Sequence, residues 1–350
     1  MGSRSLKIRR GCLFFLIIIT LALANNGRWG GAQPECDTTV QPGDPIQASI
    51  NMAPSGAVIC LGAGIFLETV EITRSVTLHG AGQERTYLEI SPNLGLAVLH
   101  IDASVDILVT IEGLTVTSTL SVPTVGVSVS GRANVTLKDV RVCDVSQGLL
   151  ADGAAQVTLS NSLLCRNSVG LLAKGFSQTS LSNTPVTSNN FGVDAKEAAQ
   201  VAATNSAIRY NRLGFLVSDT AFVMLGNSQV SDNGAEGLLL LESSKTEIQG
   251  STISDNGFLR ECRVEFCNGI ELSGQAQLRL ADSVVASNTD WGIGSTLKQC
   301  GYAEDEFTGS VSFKGHNMIE HNNKLGKQDG AGNPGNHTFK NGPSGQVCVP

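Results

Sequence analysis

Aromatic side chains make up only 5% of the 350 residues, with three tyrosines and two tryptophans among them. So few large rings are unusual for a compact domain of this length and point to something thin and repetitive. Basic charge is also short: the formal net charge is −7 and the isoelectric point about 5.3. A chain this acidic lacks the electrostatic footprint of a nucleic-acid or anionic-membrane binder. No Cys-x-x-Cys pair occurs, and His79, His100, His316, His321 and His337 follow no repeated spacing, so no metal site is expected. Beyond residue 24 no apolar run reaches the length needed to cross a bilayer.

Residues 1–24 read as a signal peptide. Arg4, Lys7, Arg9 and Arg10 precede an apolar run from Cys12 to Ala24, too short to span and typical of a signal core. Ala22 and Ala24 place cleavage before Asn25; an uncleaved N-terminal anchor is the alternative. Cleavage takes the net charge from −7 to −11, and it removes one of nine cysteines. An even set in an exported chain suggests disulfides. The expected location is secreted, periplasmic or extracellular, and soluble once the signal is removed.

What the chain does have is glycine, 39 residues of it, and a period. Glycines recur at Gly126, Gly148, Gly170, Gly192, Gly214, Gly237, Gly269 and Gly292, mostly 22 residues apart. Counting from each glycine, the first and third positions are apolar (Leu149 and Ala151, Val193 and Ala195), with Ser295 the exception. The ninth and eleventh alternate likewise (Val157 and Leu159), and the sixteenth is Leu164, Val186 or Ile208. Alternation of this kind is a strand signature. Three short strands per 22-residue turn, apolar on one side, describe a parallel solenoid whose coils stack about 4.8 Å apart.

Two polar columns complete the repeat. Position +19 is Asn167, Asn189, Asn211, Asn233, Asn256 and Asn288; position +13 is Asp139, Asn161, Asn183, Asn205, Asn227, Gly250 and Asp282, followed from Asn161 onward by Ser or Thr. Asparagine tolerates a left-handed corner, and its amide can bond the same group one coil away. The columns are therefore expected to be corner chemistry. Less regular coils fit with His100 as the zero of a coil containing Ile101, Val109, Ile111 and Val116. Insertions fall at Phe258–Asn268 and Lys298–Thr308.

From about Val40 to Glu320 this pattern resembles the right-handed parallel β-helix repeats of the pectin-lyase-like superfamily, NosD-type periplasmic repeats included. Pro42–Ile50, Gly56–Leu61 and Val76–Gly82 resemble that fold's N-terminal cap, where a short amphipathic helix closes the core, and its first coils. The expected organisation is signal peptide 1–24, N-terminal segment and cap 25–57, all-β right-handed parallel β-helix 58–320 and loop-rich tail 321–350. The resemblance is specific for fold and weak for chemistry, since lyases, hydrolases, epimerases, adhesins and inert scaffolds share it.

Cys143 and Cys165 occupy the same position one coil apart, so they should stack within disulfide reach, or stand as two free thiols. The other expected pairs are Cys36–Cys60 at the cap, Cys262–Cys267 closing an insertion and Cys300–Cys348 pinning the tail. Eight cysteines allow 105 pairings, so only the stacked pair follows from geometry.

Active sites on this fold lie on an outer strand face, which directs attention to positions +2 and +4. There Asp152, Lys174, Asp194 and Lys196 gather on three successive coils. A polysaccharide lyase needs acids to hold Ca²⁺ against substrate carboxylates and a Lys or Arg to take the C5 proton. Alternating Asp and Lys on a solvent face is more often solvated charge pairing. Asn288-Thr289-Asp290 resembles the first signature of the polygalacturonases, yet Trp291 replaces the glycine that follows in that family, and no Arg-Ile-Lys occurs. Asp305 follows Asp290 by 15 residues, short of one coil. Asn288 belongs to the asparagine column; Asp290 and Trp291, expected at an exposed corner, stay with Glu271 as candidate ligand-binding residues. Asn134 and Asn336 open glycosylation sequons. The reading is a non-catalytic scaffold or polysaccharide-binding protein without cofactor. The alternatives are a carbohydrate-active lyase, Ca²⁺-dependent, or a hydrolase, acting on acidic polysaccharide, and a purely structural surface protein. Scarce aromatics stand against tight sugar binding.

Overall fold

The computed structural model describes residues 35–90, 97–119, 124–259, 262, 267–322 and 347–350. The expected signal peptide, Trp29, the Asn336 sequon, His337 and most of the tail lie outside the described residues. The β-helix unit is Cys36–Pro350. It is a solenoid of parallel strands in the expected register: Leu149 pairs with Leu171, Leu171 with Val193, Val193 with Phe215, and so on to Ile293. Each regular coil contributes a strand to three columns, for example Gln147–Ala151, Gln156–Ser160 and Leu163–Cys165. The first column follows the repeating glycine, and its later members include Phe191–Ala195, Leu213–Val217, Leu238–Leu240, Ile270–Leu272 and Ile293–Ser295. Leu149, Ala151, Leu159 and Leu164 are fully buried and form one rung of a core that runs the length of the solenoid. Burial of these aliphatic side chains is the main cohesive force, at roughly 25 cal/mol per Å².

The coil turns at three left-handed corners. At +5 they are Gly153, Gly175, Glu197, Asp219 and Glu242; at +13 Asn161, Asn183, Asn205 and Asn227, each at φ 49°; at +18 Arg166, Ser188, Tyr210, Asp232 and Asp255. The +13 asparagines thus do what the sequence suggests. The +19 asparagines bond the same group one coil away as expected, but the left-handed corner itself falls on the residue before them. Their preceding neighbours take the left-handed conformation, while the asparagines turn inward and are nearly inaccessible. Each backbone N–H in that column donates to the next coil's Oδ1, as Asn211 does to Asn233 at 3.1 Å, and each Nδ2 donates to a carbonyl of the previous coil, as Asn233 does to Ile208 at 3.1 Å. Asn322 extends the ladder by one further rung. Ser206 and Ser228 illustrate a second ladder one residue after the +13 corner, N–H to Oγ at 3.1 Å. The repeating glycine lies against the asparagine ladder: a Cβ on Gly192 would fall 2.6 Å from the Gly214 carbonyl oxygen and 2.9 Å from Asn211 Nδ2.

Three sequence assignments are corrected at the ends. Leu99 and Ile101 pair with Val127 and Val129, so Val98, not His100, is the zero of that coil; two extra residues between Ala103 and Ile107 shift the register. The first rung, Thr38–Val40 on Ile59–Leu61, precedes the capping helix, so the solenoid begins before residue 58 and Ile46–Met52 is inserted within its first coil. Ile46 and Ile50 are buried over the core's end, and Glu68 accepts the N–H groups of Ile46 and Gln47 at 2.7 and 3.0 Å. At the other end Val347–Cys348 is a strand, not loop, paired with Ile293 and Gly294. All four disulfides form as expected: Cys36–Cys60, Cys143–Cys165, Cys262–Cys267 and Cys300–Cys348.

Candidate functional site

The outer face of the first column carries the sequence-nominated charges. Lys174 Nζ lies 2.9 Å from Asp152 Oδ2, one coil away. Burial works against the Asp152 carboxylate, but Lys174 and the Gly153 N–H outweigh it and hold the group below the usual carboxylate range. Asp194 sits between Leu172 and Leu216 on the neighbouring strands, and its buried Oδ1 accepts no hydrogen bond. Desolvation raises its pKa, with Lys196 opposing and Asp219 adding to the rise. Asp152, Lys174, Asp194 and Lys196 do share one face, and Asp152 with Lys174 forms a direct pair. Among the described residues no three His, Cys, Asp or Glu groups converge in a metal-holding set.

Asp290 and Trp291 are not on an exposed corner. Both are about 1% accessible. Asp290 Oδ2 accepts the Cys267 N–H at 2.6 Å, and Trp291 Nε1 donates to the Cys300 carbonyl at 3.2 Å. Both partners, Cys267 and Cys300, are disulfide cysteines from the segments that interrupt the repeat. Sequence spacing located the insertions but not these contacts. Neither residue can meet a polymer directly.

Glu271 is different. It is partly exposed at an outward position of Ile270–Leu272. The wholly buried Asn268 donates from Nδ2 to Glu271 Oε2 at 3.0 Å and toward Tyr302 Oη at 2.8 Å, while its Oδ1 accepts the Trp291 N–H at 3.0 Å. That last bond fixes which way the amide points. Desolvation, then the charge of Glu236, pushes the Glu271 carboxyl up to about 8; Tyr302 and Asn268 hydrogen bonds oppose, and Asp290 adds a smaller rise. Tyr302 is itself raised well above the ordinary phenol value by burial and by Glu271. A carboxyl kept neutral near pH 7 beside a phenol is a group that can donate a proton.

Two concavities flank this centre. Phe191, Leu213, Leu216, Leu239 and Leu259 line a small pocket of about 190 Å³ together with Glu236, Arg212, Cys262 and Cys267. Arg212 and Leu259 also belong to a long groove of about 860 Å³ that follows the corner after the asparagine ladder, from Thr124 to Phe258. Its walls are amides and hydroxyls from successive coils (Ser146, Ser168, Asn190), the Arg166–Asp144 pair at 2.6 Å, and two outward rings. Tyr210 is 53% and Phe258 63% exposed. The Arg209 guanidinium stands 5.3 Å from the Tyr210 ring centre. Sequence reasoning missed Glu236, Asn268, Tyr302, Tyr210, Arg212 and Phe258. The repeat held a signal for two of them: Glu236 and Asn268 directly precede their glycines, where earlier coils have Val169, Phe191 and Leu213.

Stacked parallel coils, an internal asparagine ladder and a lateral groove define a β-helix protein with its concave surface on one flank. The chain belongs to the family described as right handed beta helix region, which matches residues 125–332. No curated protein matches it. Among solved structures it is similar to the Azotobacter vinelandii mannuronan C-5 epimerase AlgE4 A-module, at 14% identity and TM-score 0.52, over 79% of this chain and 94% of that one. It is also similar to an alginate lyase from Paenibacillus, at 13% identity and TM-score 0.55, over 81% and 99%. An Acinetobacter phage tailspike gives 12% identity and TM-score 0.57, over 73% of this chain and 52% of that one. These likenesses are of fold.

Proposed function

We propose that the protein binds a polysaccharide along the groove from Thr124 to Phe258, and that it works outside the cytoplasm. The observation that carries this reading is the groove itself: it tracks the solenoid axis, repeats its polar wall once per coil, and offers the exposed Tyr210 and Phe258 rings to sugar faces. A linear polymer with its own repeat suits a surface that repeats about every 4.8 Å. Rings that keep one face in solvent supply apolar contact, and amides and arginines supply hydrogen bonds to hydroxyls or carboxylates. Four disulfides favour an oxidising compartment. Among the described residues no helix is long and apolar enough to cross a membrane. Two of the similar structures are named for action on mannuronan and alginate, which makes acidic glycans the first to try.

Affinity electrophoresis through gels containing alginate, polygalacturonate or a neutral β-glucan tests the reading. The wild-type protein should be retarded by at least one, and Tyr210→Ala or Phe258→Ala should weaken binding about tenfold, or 1.4 kcal/mol. Gln178→Ala, on an exposed strand position away from the groove, should leave retardation unchanged. Absence of retardation in every gel would sink the proposal and favour a purely structural surface protein.

A further inference from the structure

We propose that the polysaccharide carries short acyl esters, and that the small pocket adjoining the groove is the subsite that takes one of them. The inference deepens the binding reading above and rests on it. The pocket is built from two stacked pairs on three successive coils. Phe191 and Leu213, each just before its repeating glycine, are register partners, and so are Leu216 and Leu239. Leu216 stands between the fully buried Phe215 and Val217, and Leu239 between Leu238 and Leu240, so strand alternation turns both outward. Outward leucines give this stretch of the solvent side an apolar floor. Leu259 packs on Gly234, where an added Cβ would fall 2.7 Å from its Cγ, and its N–H donates to the Gly234 carbonyl at 2.8 Å. Gly234 lines the groove, and Leu259 and Arg212 line both groove and pocket, so the two cavities adjoin.

An apolar pocket beside a polar groove suits a substituent rather than a bare sugar ring. Its volume of about 190 Å³ sets the size. An apolar cavity of about 150 Å³ holds a benzene ring, so a chain of up to about six carbons fits. Charge sets the kind of group. Arg212 and Glu236 are the charged residues lining the pocket, and their formal charges cancel, which favours a neutral group over a carboxylate. Arg212 is exposed and, among the described residues, held by no ion pair, whereas Arg166 along the groove is committed to Asp144. A guanidinium only donates hydrogen bonds, and an ester carbonyl only accepts them. An acyl ester therefore satisfies both parts of the subsite, its carbonyl on Arg212 at the junction and its alkyl chain on Phe191, Leu216 and Leu239. The subsite recognises the ester; no bond is made or broken there.

The test is affinity electrophoresis through alginate and polygalacturonate, each plain and esterified with acetyl, butyryl or octanoyl groups. Each buried carbon is worth about fourfold in affinity. Retardation should therefore strengthen from acetyl to butyryl, to at least about tenfold over the plain polymer, and stop rising at octanoyl once the pocket is full. Saponification should return it to the plain value. Ala235→Leu, which fills the pocket from a half-buried position, should abolish the gain and keep retardation by the plain polymer. Leu239→Ser should do the same by removing the floor, and a cooperative thermal transition shows that each variant folds. Equal retardation by plain and esterified polymer overturns the inference and leaves the binding reading standing. Retardation by neither removes both. A gain that keeps rising with chain length, or that survives in both variants, reports adhesion to apolar surface and overturns the pocket. Retardation by the esters alone upholds the pocket and makes the acyl group the main determinant of binding.

Discussion

Removing the side chain of Asn233 should cost about 4 kcal/mol, far more than an asparagine-to-alanine change on a surface. Asn233 is wholly buried. Its Oδ1 accepts the Asn211 backbone N–H at 3.1 Å, and its Nδ2 donates to the Ile208 carbonyl at 3.1 Å. Asn233→Ala would leave that N–H and that carbonyl without these partners. Each orphaned buried group costs roughly 1–3 kcal/mol, so two give about 2–6. Asn211 Nδ2, which also donates to Asn233 Oδ1, keeps its bond to the Val186 carbonyl and adds little. Guanidinium unfolding of Asn233→Ala against Gln178→Ala measures the difference, since an exposed substitution stays within about 0.5 kcal/mol. Native-state hydrogen exchange supplies a local reading: the Asn211 amide should exchange much faster in the variant, while amides several coils away should not. If Asn233→Ala unfolds with Gln178→Ala and the Asn211 amide keeps its protection, the ladder is not the structural element argued above.

Glu271→Gln should stabilise the protein at alkaline pH. Because the folded pKa is raised from 4.5 to about 8, the folded state holds a proton that the unfolded state has lost, and wild-type stability falls as pH rises across that window. Thermal unfolding at pH 4 and pH 9 should therefore show little difference from Glu271→Gln at the first and up to about 4 kcal/mol at the second, after discounting for partial exposure; an equal gap at both would contradict it. Gly192→Ala should destabilise by about 2–3 kcal/mol through overpacking. Gly226→Ala, whose added Cβ meets nothing nearer than Thr204 Oγ1 at 3.7 Å, should be close to neutral in the same denaturant titration. Replacing Cys143 and Cys165 together with serine opens a cross-link spanning 22 residues and should lower stability by about 3 kcal/mol, read as a shift in unfolding midpoint.

The coil was legible in the amino acids because the solenoid repeats one local problem. Each turn must bury the same few side chains and bend at the same corners, so Leu149, Leu171 and Val193 recur at a fixed step and the strand register follows. Spacing also put Cys143 opposite Cys165. It failed where the repeat was broken. Two extra residues after Ala103 displaced the coil zero from His100 to Val98, and the asparagine ladder turned out to lie inside the corner that its preceding residues make.

The candidate site was legible only in part. Its position on an outer face, and Glu271 as one of its members, could be read from alternation along the strand. Asp290 and Trp291 have the composition of a binding site and are buried, bonded to Cys267 and Cys300 in segments outside the period. Tyr302 reaches Asn268 across 34 residues, and no local pattern records that meeting.

Sequence by itself therefore determined the solenoid, its three strands per coil, its polar columns and its stacked disulfide, since periodic burial leaves a periodic record. Tertiary structure alone decided which outward residues remain open. Cys267 and Cys300, which obey no repeat, bond the buried Asp290 and Trp291, while Tyr210 and Phe258 stay exposed along the groove.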